Sequence, residues 1–164
     1  MKTITAKAIH NSLPQEKIRQ GSLFGALTDD CINFILKEGR ILELAQGEKA
    51  FDSGDSGNAF FVVLEGSLSF VKLHNGKLYS TRDIGFGEEV GFVAMIALHN
   101  HAGYAVANCD SRVLEVTSDL FARIHENYPF DFGIITLNLA RDMARNIRKL
   151  SNALVENSIK HRPL

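Results

Sequence analysis

The residues best placed to do chemistry lie in one run, Asp83-Ile84-Gly85-Phe86-Gly87-Glu88-Glu89-Val90-Gly91-Phe92, continuing to Leu98. Three glycines, Gly85, Gly87 and Gly91, surround the adjacent carboxylates Glu88 and Glu89. A short helix starting near Val90 would leave its first backbone N–H groups unpaired, and such groups can hold a phosphate. A carboxylate beside that site cannot face the phosphate. It can accept a hydrogen bond from a sugar hydroxyl. A ligand with both a phosphate and a ribose hydroxyl satisfies the arrangement. Glycine-rich turns of β proteins also serve as plain turns, so the run needs a context. Neighbours on a strand point to opposite faces, which argues against Glu88 and Glu89 as a general acid/base pair.

Other constellations carry less. His99-Asn100-His101 is an HxH, as cupin-type metal enzymes use, but Ala102-Gly103-Tyr104-Ala105 supplies no following Glu. His74 falls at an expected hairpin tip, and a metal site needs three or four convergent donors. Ser53, Ser56 and Ser67 stand in turn or strand contexts with no GxSxG. Cys31 and Cys109 form no CxxC and no metal-ligand spacing, and read as reduced structural thiols. No catalytic residue and no metal ligand is assigned, and the chain is read as non-enzymatic.

The elements that must position the glycine-rich run follow from pattern. At 164 residues, 45% hydrophobic and 23% charged, the chain has the composition of one soluble globular domain with an appended element. A net charge of −1 argues against a dedicated nucleic-acid binder. The apolar stretches Ala59–Leu64 and Gly91–Leu98 are too short to span a bilayer, and Met1–His10 has no apolar core of a signal peptide. A cytoplasmic protein without membrane contact is expected. Residues 1–20 are polar and weakly patterned, with Ser12 able to cap a short helix through Arg19. Thr28, followed by Asp29 and Asp30 and by Ile32, Ile35 and Leu36, marks an amphipathic helix that Gly39 ends. From Arg40 the period falls to two. Turns recur at Gln46-Gly47, Gly54–Gly57, Glu65-Gly66 and Asn75-Gly76, with strands between them and at Tyr104–Asn108 and Val113–Val116. That spacing marks an all-β sandwich, jelly roll or barrel.

The end reverts to helix. Thr117 or Ser118 caps a short one through His125, and Pro129 opens a segment that is helical from Phe130 to about Ser158. Leu137, Ala140, Ala144, Ile147, Ser151 and Leu154 step alternately by three and four. A helix of roughly 25 residues is about 40 Å long, more than one small β domain covers. A second copy of the chain is the expected partner of Leu137, Ala140, Ala144, Ile147 and Leu154. Arg141, Arg145, Arg148 and Lys149 read as a solvated face beside that seam, with Lys160 and Arg162 beyond.

With these elements in place the chain resembles the cyclic nucleotide-binding domain of the CRP/FNR and protein-kinase-A regulatory type. Leu23–Thr28 resembles the family's entry helix, and Gln46-Gly47-Glu48 and Gly54-Asp55 its early β turns. Ala59–Leu64 with Glu65-Gly66 is similar to its "YYVLEG" strand and turn. Phe86–Phe92 stands where the family keeps its phosphate-binding cassette, and Asp142–Asn146 resembles part of its long C-terminal helix. The resemblance covers about residues 21–155. It implies a mainly β fold with flanking helices, a double-stranded, jelly-roll-like β roll of eight strands plus a long C-terminal helix. The divisions are 1–20, an N-terminal segment; 21–128, the β-roll domain; 129–158, the dimerisation or lid helix; and 159–164, a tail.

The implied function is regulatory: cAMP, cGMP or a related anionic ligand is sensed in the roll, no cofactor is required, and the C-terminal helix signals to an effector protein. Phe86, Gly87, Glu88, Glu89, Val90, Gly91 and Phe92 would line phosphate and ribose, His101 and Ala102 would follow, and Ser151 and Asn152 would reach the ligand from the helix. The cassette departs from the family pattern of Phe-Gly-Glu, an aliphatic, a small residue and an aliphatic, followed later by Pro-Arg. Glu89 is the preferred ribose-facing carboxylate, with Glu88 the alternative. No Pro-Arg occurs between Phe92 and Tyr104, and the Arg position falls nearest His101, or His99. Three explanations stay open: a protonated His101 binds phosphate, the pocket holds a different ligand, charged or uncharged, or the pocket is a relic in a ligand-independent dimerisation or scaffold module. A cupin-like metalloenzyme is the more distant alternative. The helix-turn-helix domain of the family's transcription factors is absent from the sequence, so no direct DNA binding is expected.

Overall fold

The computed structural model describes residues 2–4 and 13–161. Two antiparallel sheets face each other. The first has five strands in the order β1 (Lys2–Ile4), β2 (Arg40–Leu44), β9 (Ser111–Thr117), β4 (Ala59–Glu65) and β7 (Glu89–Val90). The second has four, in the order β3 (Lys49–Phe51), β8 (Tyr104–Ala107), β5 (Leu68–His74) and β6 (Lys77–Ile84). The helices are α1 (Gln15–Ile18), α2 (Asp29–Glu38), the short α3 (Phe92–Ile96), α4 (Ser118–Asn127) and the 33-residue α5 (Pro129–His161). None of the helices is long and apolar enough to cross a membrane among the described residues.

The strand β4 shows why the sheets stack this way. Its first six residues, Ala59–Leu64, are all buried. Successive side chains point to opposite faces. Phe61 and Val63 join Leu42, Phe51, Leu68, Ile84 and Val113 inside the roll. Phe60, Val62 and Leu64 join Phe24, Ile32, Ile35, Leu120 and Leu139 under the helices. A strand covered on both faces must be apolar throughout, as this one is.

The helix and hairpin signals act as their chemistry requires. The Thr28 hydroxyl accepts from the Cys31 N–H at 3.3 Å, and of the two candidates for the later cap it is Thr117 that accepts, from Leu120 N–H at 3.1 Å. Asn75 and Gly76, with φ of 48° and 74°, make the turn between β5 and β6. The two cysteines are free, Cys31 buried with its thiol pushed up to about 12 by burial, Cys109 exposed.

Three details differ from the sequence reading. The unpatterned N-terminus contributes an edge strand, with Lys2 opposite Glu43, because a three-residue strand is too short to show a period. Pro14, not Ser12, precedes α1, and Ser12 lies outside the described residues, as does Arg162. The cassette helix begins at Phe92, not near Val90: Glu89 and Val90 pair with Val62 and Phe61 as strand β7 instead.

Candidate functional site

The cassette is shaped by two glycines. Gly87, at φ 73°, turns the chain into β7, and a Cβ there would sit 2.0 Å from Gly21 Cα. Entry segment and cassette therefore touch backbone to backbone, which only glycine permits. The contact is sealed by Leu23 N–H donating to the Gly87 carbonyl at 3.2 Å. Gly91, at φ 100°, is the left-handed residue from which α3 springs.

Both carboxylates are engaged by their own turns. Glu88 accepts from the Gly85 N–H at 2.9 Å. Glu89, 2% exposed, accepts through Oε2 from the Phe92 N–H at 3.2 Å. That N–H is the first of α3, so the donor expected to face a phosphate is taken by a carboxylate. The other Glu89 oxygen lies 3.6 Å from Nη1 of Arg82 on β6. Burial raises the Glu89 carboxyl above its ordinary range, opposed by the Arg82 charge and the Phe92 N–H, with Asp142 adding to the rise. Sequence reasoning missed Arg82, because the pairing joins a hairpin strand to the cassette across a turn and no local pattern records it.

His101 does lie beside the cassette. Its Cε1 would stand 3.0 Å from a Cβ on Gly91. The imidazole stacks on Phe51, centroids 3.7 Å apart and planes 14° from parallel, and Phe61 and Phe70 extend the aromatic group. Backbone bonds fix it: His101 N–H to the Asp55 carbonyl at 2.9 Å, and Gly54 N–H to the His101 carbonyl at 2.8 Å. Burial lowers its pKa, against a smaller upward pull from Asp55. The ring is therefore neutral near pH 7. A recess of about 250 Å³ opens here, lined by Phe51, Asp55, Asn58, Phe61, His101 and Glu115.

The remaining predicted residues spread out. Phe86 is half-buried under Lys17, Val90 joins the core inside the roll opposite Phe61, and Phe92 packs under the helices against Phe60 and Phe121. Ala102 is exposed, and so is His99, whose ring meets the Asn100 carbonyl at 2.8 Å. The two histidines of the HxH thus diverge, and among the described residues no three His, Cys, Asp or Glu groups converge on a common point. Ser151 and Asn152 are exposed on α5. They stand nine and ten positions beyond Asp142, where α5 meets the entry segment, or about 14 Å along the axis. The structure does not bring them to the cassette.

What it does bring there is a row of buried polar groups on α5. Asp131 accepts from the Thr28 N–H at 2.6 Å and hydroxyl at 3.0 Å. Asn138 donates to the Leu23 and Gly25 carbonyls at 3.1 and 2.9 Å. Asp142 lies 2.7 Å from the Ser22 hydroxyl, itself 3.0 Å from the Gly87 carbonyl. One side chain thus stands between the long helix and the cassette turn.

Comparisons with known proteins fit this architecture. Residues 41–128, more than half of the chain, match the family model described as the cyclic nucleotide-binding domain. A cyclic nucleotide-binding domain from Methylobacillus flagellatus KT superposes with a TM-score of 0.79 at 16% identity, over 95% of this chain and 88% of that one. The Thermus thermophilus catabolite activator protein gives 0.71 at 24% identity, over 85% of this chain but 64% of that longer one. The regulatory domain of Toxoplasma gondii PKA, solved with cAMP, gives 0.58 at 22% identity, over 65% of this chain and 41% of that one. No curated protein matches significantly. From the helix-backed roll, the glycine-turned cassette and the matched segment together, the chain belongs to the cyclic nucleotide-binding domain family.

Proposed function

We propose that this chain is a regulatory module that binds cAMP, cGMP or a related small anion at the cassette and reports it through α5 to a second copy of itself or an effector protein. The observation that carries this reading is the Ser22 bridge. Its hydroxyl lies 3.0 Å from the Gly87 carbonyl and 2.7 Å from Asp142 on the long helix. A ligand that shifts the cassette turn must disturb that contact, and the helix is the element that leaves the domain. Calorimetric titration of the purified chain with cAMP and with cGMP tests it. Micromolar binding of either is the expected result, and the absence of heat from a folded sample refutes the ligand.

A second reading, a ligand-independent assembly module, draws on the cassette itself. No Pro-Arg follows the cassette between Phe92 and Tyr104, and the position nearest the family's arginine is His101, or His99. Phe92 is buried under the helices, and the Phe51–His101 stack stands against Gly91. Unchanged thermal stability in the presence of either nucleotide, with intact dimerisation, would favour this reading over the first.

A further inference from the structure

We propose that the recess beside His101 is a binding site for a small organic cation with N–H donors, an alkylammonium or a guanidinium. This goes beyond the reading above: no residue of the cassette run 86–92 lines the recess, so the two sites stand or fail separately. The turn between β3 and β4 supplies Asp55 and Asn58 at the rim, both exposed. Phe51 and Phe61 supply an apolar wall, and β9 supplies Glu115. Glu115 stands opposite Phe61 and two positions beyond Val113, which both pack inside the roll, so it faces inward with them. Its side chain is only 12% exposed.

His101 is the group that asks for a ligand. The residue is 5% exposed. Among the described residues no hydrogen bond reaches its ring nitrogens, and no unpartnered side-chain nitrogen is sealed from solvent. The nitrogens therefore open onto the recess that the ring lines. Burial favours the neutral ring, and one nitrogen of a neutral imidazole carries a lone pair. The carboxylates also have an acceptor left. Asp55 accepts through Oδ2 from the Asp52 N–H at 2.8 Å, and Glu115 through Oε2 from Arg40 Nε at 2.5 Å, which leaves the second oxygen of each without a bond among the described residues. Arg40 is 59% exposed, and neither it nor any other arginine or lysine lines the recess. An anion would meet two carboxylates and an uncharged ring. The N–H groups of a cation can meet three acceptors, and charge-assisted bonds are the strong ones. The three do not converge as a metal ion requires, so the fitting ligand is one whose donors are spread over several atoms or directions.

The test titrates the full chain with n-propylammonium, methylguanidinium, tetramethylammonium and methyl phosphate. NMR follows the His101 ring signals and calorimetry the heat. The variant His101→Phe keeps a ring on Phe51 and assigns those signals by their loss. Propylammonium and methylguanidinium are expected to shift them saturably. Tetramethylammonium, which has the charge without N–H groups, and methyl phosphate are expected to leave them in place. The double variant Asp55→Asn with Glu115→Gln is expected to bind the two donor cations about tenfold more weakly or worse, the effect of losing charge-assisted bonds. No saturable shift with either donor cation, an equal response to tetramethylammonium or methyl phosphate, or wild-type affinity in the double variant would overturn the site. Nucleotide binding without a cation response would strike this site and leave the regulatory reading standing. A cation response without nucleotide binding would do the reverse.

Discussion

His101 and Glu89 are buried ionisable groups beside one turn, and desolvation drives both towards the neutral form. The consequences for stability have opposite signs in pH. His101 has a lowered folded pKa. The unfolded chain takes up its proton first, near the ordinary value of about 6.5. Its stabilising contribution is therefore present above that value and lost as pH falls through it. Glu89 has a raised folded pKa, so its contribution is present below the ordinary carboxylate value and lost as pH rises through the folded one. Urea unfolding at about pH 7.5 and about pH 5.5 separates the first effect. His101→Gln loses the Phe51 stack and starts less stable, but its midpoint is expected to fall less on acidification than the wild-type midpoint. An equal fall in both would show that His101 is not the titrating group. The sequence placed His101 near the cassette by counting back from β8. It did not show the ring lying flat on Phe51, because that contact spans fifty residues of chain.

At the scale of elements, the joint between entry segment, cassette and long helix holds the fold together at the site. Gly87→Ala puts a methyl group into Gly21 Cα at a left-handed φ, and neither backbone can yield cheaply. A loss of about 2–4 kcal/mol is expected, read as a lowered melting temperature. Gly133→Ala is the control. Gly133 lies in α5 with no atom within 4 Å of an added Cβ, so the change is expected to stabilise by about 0.5–1 kcal/mol. Asp131→Ala frees two donors on Thr28 and is expected to cost about 1–3 kcal/mol. Amide exchange should report that loss first in the α5 amides around residue 131, while β4 and β9 stay protected. Elements with a period or a cap were legible: Thr28 and Thr117 start helices, and Asn75-Gly76 turns a hairpin. The two-residue β7 was not, since its existence depends on the β4 edge beside it. That missing strand is why the cassette helix was placed two residues early.

The whole molecule leaves one surface unaccounted for. On the near part of α5, Asp131, Ile135, Asn138, Leu139 and Asp142 are buried against the body. From Ala144 to Glu156 every residue but the half-buried Asn146 is exposed. Leu137 is 54% exposed, Ile147 67% and Leu154 67%, with Ala140 and Ala144 open between them. With Ser151 these positions alternate steps of three and four, close to the 3.5 repeat of a left-handed coiled coil. An isolated helix of this length is marginal in water, so the projecting half needs a partner to stay formed. A second copy would supply the same stripe by symmetry and cover both at once. Arg145 and Arg148 lie beside the stripe, where they shield its edge without entering it. The double variant Ile147→Asp with Leu154→Asp places a charge in the seam at two levels. Sedimentation velocity is expected to show the wild type as a dimer and the variant as a monomer. Circular dichroism is expected to lose helix in the variant while the roll melts at nearly the wild-type temperature, because neither residue touches the core. A wild type that sediments as a monomer with its full helical signal would show that the stripe serves a different partner.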